Sequence, residues 1–169
     1  MDALDKASQT DPLTKLANRR ALDAFANALQ NTPSHQVVLA IDIDHFKHVN
    51  DNYGHARGDL VLCHLAQLLR ENTRSNDFVC RNGGEEFLII TALPIKTATE
   101  LAERLRQLVA TADFGLSNPL TISIGVAAWD PLKMSLAFAI QQSDLALYQA
   151  KSEGRNRVVV ATVNESRSG

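Results

Sequence analysis

Arg81-Asn82-Gly83-Gly84-Glu85-Glu86-Phe87 places two acids directly after two glycines, just ahead of the apolar run Phe87-Leu88-Ile89-Ile90. Glycine lacks a Cβ, so it takes positive φ readily and lets a ligand approach the backbone closely. Carboxylates at such a turn can hold Mg2+ beside a phosphate chain. Taken alone, the same pattern is equally a charged hairpin turn. Phe78-Val79-Cys80 and Phe87 to Thr91 read as short strands on either side of the glycines, which makes the segment a hairpin. A second acidic segment shifts the balance: Ala40-Ile41-Asp42-Ile43-Asp44 interrupts an apolar strand.

Outward from the hairpin, strands alternate with helices. Asn18 is positioned as the N-cap of a helix with Leu22, Phe25, Ala26 and Leu29 on one face, stopped by Asn31-Thr32-Pro33-Ser34. Val37 to Ile43 reads as a buried strand. Asp44 is placed to cap a short helix that ends near Asn52-Tyr53-Gly54, and Gly58-Asp59 to open a longer one. Thr97-Ala98-Thr99-Glu100 has the form of a capping box. Leu120 to Ala127 alternates as a strand, Leu136 to Ser152 is helical up to Gly154, and Val158 to Val160 is a last strand. Strand–helix alternation that includes a hairpin implies an α/β architecture, a mixed sheet with helices packed on it.

Composition bounds the function. The 169 residues suffice for one domain with a real core. With 45% apolar and 21% charged residues the chain is ordinary globular material. Its formal net charge of −2 carries no basic excess for a nucleic-acid polymer, so a polyanionic nucleotide must be held by a few placed cations and a metal. Cys63 and Cys80 are far apart, each in an apolar run, and read as reduced core thiols of a cytoplasmic protein. No apolar run reaches membrane-spanning length, so this segment makes no membrane contact, although a longer parent protein could be anchored.

Asp42 stands near the end of a strand that should be buried, where an unpaired carboxylate is costly. A capping or loop-stabilising role suits Asp44 better than Asp42. If the hairpin pairs beside this strand, Glu85 meets Asp42 across the gap. Two carboxylates and the Ile43 carbonyl would then form a hard oxygen site of the kind Mg2+ prefers. Neighbours on an extended strand point to opposite faces, so Glu86 joins Glu85 only if the turn bends there. Lys47 lies in the first turn of the short helix, where phosphate is attracted. Lys151 and Arg155 lie four apart at the end of the last long helix; each is also an ordinary surface cation. Asn50 and Asp59 are either helix caps or a guanine reader. A carboxylate accepts from the N1–H and 2-amino group of guanine, whereas adenine presents an acceptor. The histidines lack partners at zinc spacing, and no nucleophile elbow is present.

Five blocks, in order, carry a resemblance: DPLTKLANRR from Asp11, DIDHFKHVNDNYGHARGD from Asp42, RNGGEEF from Arg81, TISIGVA from Thr121 and DLALYQAKSEGRNRV from Asp144. Together they resemble the GGDEF domain of bacterial diguanylate cyclases. The resemblance implies a central, mostly antiparallel five-stranded sheet wrapped by helices, similar to the adenylyl cyclase and polymerase palm core. It implies a GGDEF domain over residues 11–163, with residues 1–10 an N-terminal extension or the end of a signalling helix and 164–169 a tail. Asp42, Ile43 and Glu85 match the metal ligands, with Mg2+ or alternatively Mn2+ as the ion. Asp42, Glu85 and Glu86 match the catalytic acids. Asn50 and Asp59 match the guanine-binding pair, and Phe46, Lys47, Gly83, Gly84, Lys151 and Arg155 the rest of the substrate site. Arg74-Ser75-Asn76-Asp77 is an RxxD motif that, with Arg81, matches the inhibitory site for the product. The implied function is condensation of two GTP into cyclic di-GMP by a transient C2 homodimer, under an upstream sensory domain. A silent receptor for GTP or cyclic di-GMP is the alternative. Lys15, Ala17 and Asn82 depart from the family pattern, and none is a metal acid.

Overall fold

Five strands form a single sheet: β1 (Gln36–Ile43), β2 (Phe78–Gly83), β3 (Glu86–Thr91), β4 (Ile122–Trp129) and β5 (Val158–Val160). Across the sheet the order is β2-β3-β1-β4-β5. Every pairing is antiparallel except β4 with β5, which is parallel. The mixed, mostly antiparallel sheet is therefore as expected. The computed structural model describes residues 8–162. Most of the expected N-terminal extension and all of the C-terminal tail lie outside these residues.

Central position makes β1 apolar on both sides. Val37, Leu39, Ile41 and Ile43 face one core, together with helices α2 (Phe46–Tyr53), α3 (His55–Glu71) and α4 (Ile95–Thr111). Val38 and Ala40 face a second core with α1 (Arg19–Leu29) and α5 (Leu136–Ser152). By alternation Asp42 belongs to the second face. β4 is buried almost continuously rather than alternating, because helices cover both of its faces.

The helix starts test local sequence chemistry. Asn18 caps α1, its Oδ1 accepting from the Ala21 N–H at 3.0 Å. Ser135 caps α5 in the same way through Phe138 N–H at 3.1 Å. Two expected starts are corrected. Helix α3 begins at His55, so Gly58 and Asp59 lie inside it. Helix α4 begins at Ile95 after Pro94, so Thr97 is not a cap; a proline with fixed φ opens this helix instead. Among the described residues no helix is long and apolar enough to cross a membrane.

Two glycines elsewhere set packing and site shape. A Cβ on Gly125 of β4 would lie 2.0 Å from the Ser143 carbonyl oxygen, so α5 rests directly on the sheet there. A Cβ on Gly58 would lie 2.0 Å from Asn50 Oδ1, so α2 and α3 meet at that side chain.

Candidate active site

The register of β1 and β3 sets Asp42 opposite Glu86. Directly opposed side chains share a face, so Glu86, not Glu85, is the cross-strand partner of Asp42. Glu85 lies in the turn just outside the ladder. Gly83 (φ 154°) and Gly84 (φ 36°) bend the chain there, at a register shift between Arg81 and Gly83. The bend turns Glu85 into a cavity of about 210 Å3 lined also by Asp42, Ile43, Phe46, Lys47, Lys151 and Arg155. The cavity therefore gathers residues from three separate parts of the chain, while Asn50, Asp59, Gly83, Gly84 and Glu86 do not line it.

Asp42 is buried, and the Lys151 ammonium donates to its Oδ2. Its Oδ1 is also buried and accepts no hydrogen bond. An orphaned carboxylate oxygen in a cavity with a second carboxylate and a backbone carbonyl fits a hard divalent cation. Among the described residues no three His, Cys, Asp or Glu side chains are clustered as metal ligands, so the protein would supply two carboxylates at most besides the carbonyl.

Asp44 departs from expectation. The backbone at the start of α2 is capped by His45 in the left-handed region, with no side-chain cap. Asp44 instead accepts from Thr121 Oγ1 at 2.7 Å, Ser123 Oγ at 2.6 Å and the Asn156 N–H at 3.0 Å. Three donors offset the cost of burying this carboxylate. The pattern could not be seen locally, since its partners are 77 to 112 positions away. The link to Asn156 holds the turn after α5, where Gly154, Arg155 and Asn156 all have positive φ. That reversal returns Arg155 to the cavity.

Glu86 keeps its outer edge in solvent, yet its carboxyl is held above the usual glutamate range. Lost hydration is the larger cause, followed by the negative charges of Asp42 and Asp144. Asn50 is half-buried against Gly58, while Asp59 is exposed one position further along α3.

The hairpin is anchored from behind. Arg81 donates through Nε to the Gly84 carbonyl at 2.9 Å and through its guanidinium to Asp11 at 3.2 Å. Burial works to raise the Asp11 pKa, but Thr14 and Arg81 donors outweigh it and hold the carboxyl low. Lys15 in the same turn has φ 66°, a backbone shape that favours glycine. Cys80 is buried, which pushes its thiol up to about 12 and leaves it inert.

Arg74 and Asp77 line a different cavity, of about 470 Å3. Asp77 is buried; its Oδ2 accepts from the Arg74 N–H at 2.8 Å, and its Oδ1 lies 3.7 Å from the Arg74 guanidinium without a hydrogen bond. Arg70 braces the turn through the Asp77 carbonyl at 3.1 Å. Arg81 does not line this cavity. Arg104 of α4 does, oriented by the Asn72 carbonyl at 3.1 Å. Sequence reasoning missed Arg104, because only the packing of α4 beside the α3–β2 turn brings it near Arg74.

A family model described as "Diguanylate cyclase, GGDEF domain" matches residues 8–157. The chain belongs to this family. The diguanylate cyclase DgcM of Escherichia coli K12 is 41% identical over 165 residues, which span 95% of this chain and 40% of that protein. The GGDEF chain thus spans less than half of that relative. The coiled coil and GGDEF domain of DgcB from Caulobacter crescentus, in complex with c-di-GMP, superposes with TM-score 0.85 at 30% identity, covering 94% of this chain and 88% of that one. The active GGEEF domain of a diguanylate cyclase from Vibrio cholerae gives TM-score 0.76 at 37% identity, covering 88% and 99%.

Proposed function

We propose that this GGDEF domain condenses two GTP into cyclic di-GMP and releases two pyrophosphates. The observation that carries it is the orphaned Oδ1 of Asp42, a residue that lines one cavity with Glu85, Lys151 and Arg155. Membership of the family and the active GGEEF relative support the same reading.

Each 3′-hydroxyl attacks the α-phosphorus of the other GTP. A P–O bond forms, the bond to the β-phosphate bridging oxygen breaks, and the hydroxyl proton leaves. Mg2+, with Mn2+ as the alternative, would be held by Asp42, Glu85 and the Ile43 carbonyl and would polarise the α-phosphate. Lys47, Lys151 and Arg155 are the cations that meet the phosphates, beside the backbone at Phe46, Gly83 and Gly84. Glu86 sits above the usual glutamate range beside Asp42 and is placed to take up the proton. Asn50 and Asp59 read guanine through its donor edge. Each domain offers one nucleotide site and the product is two-fold symmetric, so the working unit is a transient C2 pair. Positioning two substrates then supplies much of the rate. Arg74 and Asp77, joined by Arg104, bind product and restrain the enzyme; Arg81 acts from the hairpin instead. The domain begins near Asp11, and a longer parent chain carries the sensory input.

The test is incubation of the purified chain with Mg2+ and GTP over a range of protein concentrations. Cyclic di-GMP should form, with a rate per protein that rises with concentration. Thermal stabilisation by Mg2+ and GTP without any product would point to a receptor instead.

A further inference from the structure

Helix α5 carries an apolar row that no other part of the described residues covers. Tyr148 is 72% exposed and Leu145 59%. They lie three apart and so share one side of the helix, while Ser143, Ala146, Leu147 and Ala150 are buried on the other. The row borders the cleft. Lys151, three positions beyond Tyr148, pairs with Asp42. Asp144, four positions before it, lies close enough for its charge to act on Glu86.

Along the helix this face therefore runs from acid through apolar to base: Asp144, then Leu145 and Tyr148, then Lys151. Such a face is complementary to itself. A two-fold axis near Tyr148 runs two helices antiparallel and sets the acidic end of one beside the basic end of the other.

We propose that the Leu145–Tyr148 face of α5 is where two copies of this domain dock when their half-sites meet. This docking face presupposes the two-GTP reaction above, in which one copy is incomplete without the second. Two large apolar side chains per copy fall well short of the roughly 1,200 Å2 that a standing interface buries. The pair is accordingly short-lived, which suits a product that must leave from between the copies.

Tyr148→Lys and Tyr148→Glu in the full chain test it. Each variant alone sets like charges across the axis, whereas a mixture sets opposite charges there. Each alone should retain the thermal shift given by Mg2+ and GTP, and should form cyclic di-GMP about tenfold more slowly at low protein concentration. An equimolar mixture should regain most of the lost rate. Variants as fast as the unaltered protein, or a mixture no faster than its components, overturn the docking face. A second measurement does not depend on turnover. Tyr148→Cys, oxidised with Mg2+ and 3′-deoxy-GTP, should cross-link two copies through position 148, above the background from Cys63 and Cys80. Absence of that cross-link also overturns the docking face. Cross-linking without any cyclic di-GMP from the unaltered protein overturns the reaction and, with it, the role of this face in joining half-sites; cyclic di-GMP without cross-linking overturns the docking face alone.

Discussion

Lys151 and Asp42 are 109 positions apart in the chain and form an ion pair that satisfies only one of the two carboxylate oxygens. The ammonium neutralises the acid in the ligand-free protein, and the second oxygen is left for a cation. Asp42→Asn keeps the shape and removes the charge. Turnover should fall by about 10²–10³, the loss usual for one strong electrostatic contact at a reacting group. The extra thermal shift that Mg2+ adds to GTP should vanish with it. Initial rates at saturating GTP check the first, and melting curves with and without Mg2+ the second; an unchanged rate removes Asp42 from the site. Lys151→Met instead orphans a buried charge. It should cost about 1–2 kcal/mol in urea unfolding, less than a fully buried pair because a third of the lysine side chain stays in solvent.

Glu86 gives a pH signature. Its carboxyl is raised by lost hydration and then by Asp42 and Asp144. Between the ordinary glutamate value and the raised one, the folded chain holds a proton that the unfolded chain has released. Stability therefore falls as pH rises through that window. Glu86→Gln has no such proton to lose. The urea midpoint of the variant should exceed that of the parent above the window and converge with it below. Parallel midpoints across the whole range would mean that neither lost hydration nor the acidic neighbours raise this carboxyl.

What the sequence disclosed depended on how local each cause was. Helix α5 is legible to the residue from its pattern and from Gly154 just beyond its end, with the Ser135 cap found only in the structure. Helix α1 is legible through its cap, Asn18. The hairpin followed from two glycines and a strand pattern, but its register did not: Glu86 rather than Glu85 stands opposite Asp42, because the bend at Gly83 and Gly84 leaves Glu85 outside the ladder. Asp44 was misread as a cap because its partners Thr121, Ser123 and Asn156 come from other elements. Thr97 was misread because Pro94 starts the helix earlier. Arg104 could not be seen at all, since its neighbourhood exists only once α4 has packed. Local chemistry is written in adjacent residues; long-range polar contacts are written in the topology.

At the second cavity, Arg104 should matter as much as the motif arginine. Arg74→Ala and Arg104→Ala each remove a charged donor from a pocket that holds the buried Asp77. A charged hydrogen bond contributes about 1.5–3 kcal/mol, so the cyclic di-GMP concentration for half inhibition should rise about tenfold or more in each. The measure is inhibition relative to each variant's own uninhibited rate. If Arg74→Ala shifts the curve and Arg104→Ala does not, the α4 side of the cavity is not part of the binding surface.

Gly125 offers a test of the fold apart from the chemistry. A methyl group there meets backbone atoms of Ser143 and Leu147, which have no rotamer to yield. Gly125→Ala must push α5 off the sheet or distort β4, at a cost of about 2 kcal/mol or more in denaturant unfolding. Because α5 also carries Lys151, GTP affinity should drop in the same variant. A variant as stable as the parent would mean that this helix contact is looser than drawn.

Asp44 ties the end of the central strand to Thr121, Ser123 and the backbone of Asn156. The turn after α5 is thereby a fastener for the end of the sheet that carries Asp42. A chain cut between α5 and Asn156 keeps Asp42, Glu85 and Lys151 but loses the bond that holds the turn of Arg155 beside them. A protease that clips just after α5 would therefore loosen the cavity without touching either candidate metal-binding acid.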